Sequence, residues 1–559
     1  MAAFRDANLL IVSLSTHAHS VQVGLGVSPE VISTPSITLP TIAYIKPELA
    51  QSNLPRKWSD YSFESHPDLL PIQIFKTHSH HGPQLSQSGS LVTDWKALDA
   101  LFRYLLFNRL KLSKPPVAQH ILLSIPPNLP NSIRDKFTQL FFENLQAPAL
   151  FLGESPLLQI LACNSTSGIT IDIGARSTLI GFVSDSIVLD QSCHFYPIGE
   201  QDCDDYLISL LLNENPELPA QLGWETTNRA ESLYHALLAF VSNLKADGHI
   251  RFEPQLNTLA LNTADLQSQE EEETGITDVA QAIVSGKADK IIGRQTSNNS
   301  SQGARRPTQT GKLLAEIQKE TDTIIVSNSS NSQQPLNPSV PPSPLLDCQP
   351  SQAIPVSTES LSLPREQTGI RVSKTRHRHA EPLFAPGLLR SIGPVFSRFG
   401  LEKYAARYTS ELISEDDTLV ESINRGISKL ISLEQRKDVV GQFVLTDGSG
   451  LICRTEGLGI AISAELQSRN SGLNSLSQSG AQADGIFKPL KVPEYFSEFK
   501  GKPEYLGFLG GCIVAKLVFN DASSTKLWMS KVMCLGFLAV FKSNGIHFPQ
   551  KGRMLIFFS

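Results

Sequence analysis

The chain has 559 residues, 41% of them apolar, and carries 48 Lys and Arg against 54 Asp and Glu, for a net charge of −6. That length accommodates two or more domains, and the acidic balance excludes a protein that holds DNA by bulk charge, which needs a basic face to displace counterions. The seven cysteines (163, 193, 203, 348, 453, 512 and 534) are scattered and never form a Cys-x-x-Cys pair, which argues against a disulfide scaffold or zinc module and fits a reducing compartment.

Met1 to Ser20 contains Asp6 and polar breaks at Ser13, Ser15 and His17, unlike a signal peptide. The apolar run Val532 to Phe541 is too short to span a bilayer, so a soluble intracellular protein is expected. Leu9 to Val27 reads as two short strands around a polar turn, Ser13 to Ser20. Asp94 to Leu112 places Trp95, Leu98, Leu101, Leu105 and Leu106 at helical spacing. Gln119 to Ile125 is a strand stopped by Pro126-Pro127, and Ser132 to Leu145 a second amphipathic helix. Ser155-Pro156 predicts a helix start, serine as N-cap and proline at the first position. Gly168 to Asp172 and Ser177 to Val183 are strands flanking a turn at Gly174. Alternating strands and helices imply an α/β protein.

From about Arg294 to Lys374, Ser, Asn, Gln and Pro dominate. Such a segment cannot bury enough apolar surface to offset the entropy of ordering, so a disordered insertion is expected, interrupted by at most a short helix at Lys312 to Lys319. Beyond it, Asp417 to Leu433 reads as a helix, Gln442 to Leu445 as a strand and Asp447 to Gly450 as a turn. Glu504 to Phe519 is a helix whose Gly507, Gly510 and Gly511 imply a closely packed neighbour. The histidines of Thr77 to Gly82 (78, 80 and 81) lack a second ligand cluster and read as an exposed loop, not a metal site. The basic run Lys374 to His379 reads either as a phosphate or nuclear-import contact or as a solvated strand edge.

Four of these segments, in order, resemble the actin superfamily. Gly168-Ile-Thr-Ile-Asp172-Ile-Gly174 looks like that family's second phosphate-binding hairpin, and Asp202 to Leu207 like the helix after it. Glu434 to Asp438 leading into Phe443 to Gly448 resembles the helix, strand and glycine turn at adenosine. Phe508 to Ala515 and Leu527 to Lys531 resemble the family's C-terminal Trp-x-Gly-Gly helix and Trp-x-Ser-Lys motif. Phe4 to Val12 and Ala149 to Leu158 point, within the superfamily, to the nuclear actin-related proteins of fungal SWI/SNF and RSC chromatin remodelers. The resemblance implies an actin-type two-lobed fold of the actin, Hsp70 and sugar-kinase class. Residues 1–162 would form the first lobe, closed by 500–531, and 163–499 the second, with 294–374 inserted in it. Past Lys531 the family pattern ends, and 532–559 is an atypical tail. We read it as translated intron sequence, the alternative being a tail that buries Phe537, Leu538 and Phe541 against a partner.

The same resemblance implies a degenerate nucleotide cleft. Phosphates need glycine-rich turns with bare backbone N–H groups, a carboxylate metal shell and a group that orients water. The first hairpin has Ser13-Leu-Ser-Thr16-His17 in place of Asp-x-Gly-Ser/Thr. The second keeps Asp172 and Gly174 but continues Ala175-Arg176, with Thr178 on the return strand. Ser155 stands at the water-positioning place, where it serves as an N-cap. Lys245 is kept but Ala246 replaces its glutamate neighbour, and Asp447 replaces a glycine beside Gly448 and Ser449. No catalytic or metal residue is expected, Asp172 reads as a structural hydrogen-bond acceptor within its hairpin, and ATP is not expected as a cofactor. Arg176 is the one new cation that could pair with phosphate. The expected partners are the helicase-SANT-associated helix of the remodeler ATPase and a second actin-related protein, with DNA contacted only through the complex and no membrane. That helix would lie in an apolar groove bordered by Leu157, Leu161, Ala162 and Cys163.

Overall fold

The structure is a computed structural model. It describes residues 9–252 except 16, 18, 26–31, 52–55, 65, 67, 76–90, 114 and 225–229. It also describes 324–327, 369–409, 417–448, 451–474, 487–520 and 529–530.

The first lobe is built from β1 (Leu9–Ser15), β2 (Ser20–Leu25), β3 (Ile37–Pro40), the separate hairpin β4 (Ile42–Ile45) and β5 (Leu70–Gln73), α1 (Trp95–Arg103), β6 (His120–Ile125), α2 (Asn131–Gln139) and β7 (Ala149–Glu154). The second comprises α3 (Ser155–Ala162), β8 (Gly168–Ile173), β9 (Thr178–Ser184), β10 (Ile187–Val188), β11 (His194–Tyr196), α4 (Glu200–Glu214) and α5 (Ala230–Ala246). It continues with β12 (Ile324–Ser327), β13 (Gly369–Val372), α6 (Leu419–Ser428), α7 (Leu433–Val439), β14 (Gln442–Asp447), α8 (Leu458–Asn474) and β15 (Lys488–Pro489). The chain then returns through α9 (Leu506–Asn520) to β16 (Met529–Ser530) at the edge of the first sheet.

The two main sheets share a plan. In the first, ordered β16-β7-β6-β1-β2-β3, the hairpin β1–β2 has β6 parallel to β1. In the second, ordered β10-β9-β8-β14-β15, the hairpin β8–β9 has β14 parallel to β8. Strands at this central position are covered on both faces and read as unbroken apolar runs. Every residue of β8 is buried accordingly. Each sheet has its own core. Leu10, Val12, Leu98, Leu101, Phe137 and Phe141 fill the first, and Ile169, Ile171, Phe182, Leu207, Val241 and Ile423 the second. A third cluster joins the lobes, with Leu9, Ile11 and Leu122 from the first sheet, Val183 and Val444 from the second, and α3 and α9 between them.

The tight helix pair behind the glycines of α9 is α3: a Cβ on Gly510 would run into the carbonyl of Leu158. Asp94, where the helix was expected to start, caps α1 by accepting from the Lys96 and Ala97 amides. One expectation shifts. Glu154 rather than Ser155 is the cap of α3, because Ser155 already has a helical place. Structure also resumes earlier than residue 375, since β12 and β13 pair and Ile370 and Val372 bury in the second-lobe core. The basic run is not a solvated strand edge. It is a short 3-10 turn, Lys374–Arg378, with Arg376, His377 and His379 buried. The segments 253–323 and 328–368, the histidines of 77–82, and the tail 532–559 lie outside the described residues. Among the described residues no helix is long and apolar enough to cross a membrane.

Candidate functional site

The two sheet hairpins leave equivalent turns. β1–β2 register pairs Ser15 with Ser20 and leaves 16–19; β8–β9 register pairs Ile173 with Thr178 and leaves 174–177. The turns face each other and touch. The Ala175 amide donates to the His17 carbonyl at 3.0 Å. A Cβ at Gly174 would stand 2.6 Å from that oxygen and 2.6 Å from His17 Cδ2, so this approach requires glycine. His17, 4% exposed, sets its Nε2 3.2 Å from Asp172 Oδ1, a close polar contact outside hydrogen-bond geometry. Its ring meets Phe195 of β11 edge-on, with centroids 6.0 Å apart. Gln159 of α3 donates to the other Asp172 oxygen at 2.7 Å. Asp172 is thus a structural acceptor, but its partners come from α3 and from the opposite lobe, not from its own hairpin.

The cleft beside this contact is lined by Ser13, Ser15, Gln22, Ser155, Asp447 and Gly448 among others, and its free space is about 30 Å³. By the volume a single water needs, that holds on the order of two waters. The Ser15 hydroxyl and the Gln22 and Gln159 amide oxygens are buried there without a hydrogen-bond partner. His17 stands between the turns, and among the described residues no group of three or more His, Cys, Asp or Glu is placed to hold a metal.

Arg176 points away from the cleft. Its guanidinium donates to Asp202 at 2.9 Å, Asp205 at 2.8 Å and the Tyr408 hydroxyl at 2.6 Å. Burial alone would lower its pKa, but the carboxylates of Asp202 and Asp205 raise it well above the ordinary value. The expectation that Arg176 meets a phosphate is therefore corrected: a buried cation stays with the buried charges that neutralise it. Tyr408 and Tyr234 hydroxyls complete the network, donating to Asp205 at 2.6 and 2.7 Å. Lys245 is likewise engaged, at 2.6 Å from Glu200 and 2.8 Å from Asp204, whose carboxylate also meets His379 Nε2 at 2.7 Å. Burial opposes charge on Asp204, yet Lys245 and His379 hold its carboxyl below the usual range. Thr178 donates to the Ile198 carbonyl at 2.8 Å. Asp447, 1% exposed, accepts from the Cys453 amide at 2.7 Å. Ser13 and Gly448 line the cleft, whereas Thr16 and Ser449 lie outside the described residues.

In the expected groove, Leu157 and Leu161 are partly buried against the junction core, while Ala162 and Cys163 are fully within it. Those two are therefore corrected from groove contacts to packing residues, because the junction core encloses them. Ile513, Val492 and Phe496 are also partly buried there, and Leu517 and Tyr495 are exposed. Residue patterns had not singled out Gln159, Asp202, Asp205, Tyr234 or Tyr408. The one available signal was the acidic run Asp202, Asp204 and Asp205 inside an otherwise apolar helix, which requires cationic partners when buried.

Two sheets of one plan, a double-helix junction and facing turns define an α/β protein of the actin-type two-lobed fold. A model of the family described as Actin matches residues 76–234, which include the second hairpin. The chain is similar to human "Actin-like protein 7B", 26% identical over 165 residues, covering 30% of this chain and 37% of that protein. It is similar to "Actin-related protein 4" of Arabidopsis thaliana, 30% identical over 121 residues, 22% of this chain and 27% of that protein. With "Actin-related protein 2" of Schizosaccharomyces pombe it shares 29% over 136 residues, 24% and 34% of the two. The matches thus span little more than a third of those curated relatives at most. Together with the fold they support the actin superfamily.

Proposed function

We propose that the chain is a non-catalytic, actin-related structural subunit of a nuclear chromatin-remodeling complex of the fungal SWI/SNF and RSC type, comparable to actin-related protein nine. The observation that carries the loss of catalysis is the contact of His17 with Gly174 and Asp172, where a phosphate chain would pass. Turnover of this kind relies on positioning and electrostatics at that point, and the second lobe's cations, Arg176 and Lys245, are held by internal carboxylates. In such a subunit the lobes serve as a platform. The partly buried apolar residues Leu157, Leu161 and Ile513, with the exposed Leu517, suit the apolar stripe of an amphipathic helix. We assign that helix to the remodeler ATPase, beside a second actin-related protein, with DNA reached only through the complex.

Two measurements test this. Purified protein titrated with labelled ATP and magnesium should bind none tightly and release no phosphate; turnover that disappears in Asp172→Asn would make the protein a weak ATPase instead. Affinity purification should recover a remodeler ATPase, and Leu161→Asp should reduce that recovery at least about tenfold, as expected of a buried interface anchor. Undiminished recovery removes the groove assignment. Sedimenting filaments would mark a cytoskeletal relative.

A further inference from the structure

We propose that His17 is an interlobe clasp. It takes over the bridging of the two turns and holds the lobes in one orientation with no nucleotide present. The proposal rests on the reading that no nucleotide enters the cleft, and adds how the cleft stays shut without one.

Four observations converge on this one residue. The His17 carbonyl accepts the Ala175 amide, so the first turn's backbone is bonded to the second's. The His17 ring lies on the bare Cα of Gly174, within the distance any larger residue would need. Its Nε2 faces Asp172 at 3.2 Å, and Asp172 is fixed from behind by Gln159. Its edge meets Phe195, on the strand that pairs with β9. A side chain from the first lobe is thus almost fully enclosed by β8, its turn and β11 of the second. The apolar junction of α3 and α9 joins the lobes at one place, so relative motion is expected at the cleft, where the two turns meet through polar contacts. A buried ring seated in the opposite lobe resists that motion, because opening exposes its apolar faces and unpairs the Ala175 amide. The second turn is held from its far side too. The Glu200 and Gln201 amides donate to the Gly174 and Ala175 carbonyls, both at 2.8 Å, so the clasp grips a turn that is itself anchored on α4.

Hydrogen exchange on the full chain, without nucleotide, tests this. In the native protein the Ala175 amide should be protected to the level of its neighbours in β8; exchange at loop rates would overturn the clasp. His17→Ala should speed exchange at 174–177 by about tenfold or more while α1 and α4 keep their protection, the pattern of a local opening. Gly174→Ala, which pushes on the same contact from the other side, should do likewise. The double variant should exceed the larger single effect little, since both break one contact. Additive effects, or unchanged exchange in His17→Ala, overturn the proposal. Adding magnesium and ATP to the native protein separates this from the functional reading. Protection gained there defeats the nucleotide-free platform, whereas exchange in the variants judges the clasp itself.

Discussion

The cleft-facing turns of the two lobes handle charge in opposite ways. The first lobe presents small hydroxyls, Ser13 and Ser15, and two histidines, with Ser15 Oγ buried unpartnered. The second keeps a dense set of charges, Arg176, Lys245, Asp202, Asp204 and Asp205, and neutralises each inside its own lobe. The difference teaches that a cleft wall can be left without free charge either by small neutral side chains or by turning its charges inward. The second route leaves a structure that depends on it. Removing one partner of a buried pair strands the other in low dielectric, while the intact pair adds little net stability over apolar packing.

The sharpest way to break the comparison is Arg176→Leu. It leaves the fully buried Asp205 with tyrosine hydroxyls but no cation, while Asp202 keeps Arg407 at 3.3 Å, and should cost about 3 kcal/mol, the lower end for breaking a buried pair and a large part of a typical folding free energy. Urea unfolding of the full chain measures it; a loss under about 1 kcal/mol would show that the network relaxes or hydrates.

The first turn should instead reveal itself through acid. Burial, and secondarily the neighbouring His17, lower the His19 pKa from 6.5 to about 4. The unfolded chain therefore takes up this proton first, and stability contributed by neutral His19 is full above pH 6.5 and lost as pH falls toward 4. The difference between native protein and His19→Asn should approach ~3 kcal/mol at the acid end. Asparagine tolerates the left-handed backbone there, φ 53°. Identical pH profiles would mean His19 is hydrated.

At the junction, Gly510→Ala drives a methyl into the Leu158 carbonyl and should destabilise by about 1–3 kcal/mol, the range for overpacking. Smallest of all, Ser15→Ala removes an unpartnered hydroxyl and should change stability by less than about 0.5 kcal/mol, in the stabilising direction. A larger loss would reveal a bonded water network in the first lobe and weaken the contrast.

The strands, helices and their order were legible in the chain because they rest on local periodicity and on punctuation such as Pro126-Pro127 and Gly174. So was the glycine face of α9, which announced a close neighbour without naming α3. The absence of an Asp-x-Gly between Ser13 and His17 was readable, since a missing carboxylate and glycine need no partner to be noticed. The fate of Arg176 was not. A cation beside a retained Asp-x-Gly suggests phosphate, and its true partners, Asp202, Asp205 and Tyr408, lie 26, 29 and 232 residues away. Nor did any local pattern place His17 on Gly174 and Asp172, 157 and 155 residues on.

Local chemistry wrote the α/β class and the two hairpins directly into the order of the amino acids, because strand alternation and turn geometry act over a few residues. The contact between the two turns, the inward-facing charges and the burial of Ala162 and Cys163 in the junction were settled only when the two lobes met. Burial and ion pairing are properties of surroundings, and those surroundings are assembled from segments hundreds of residues apart.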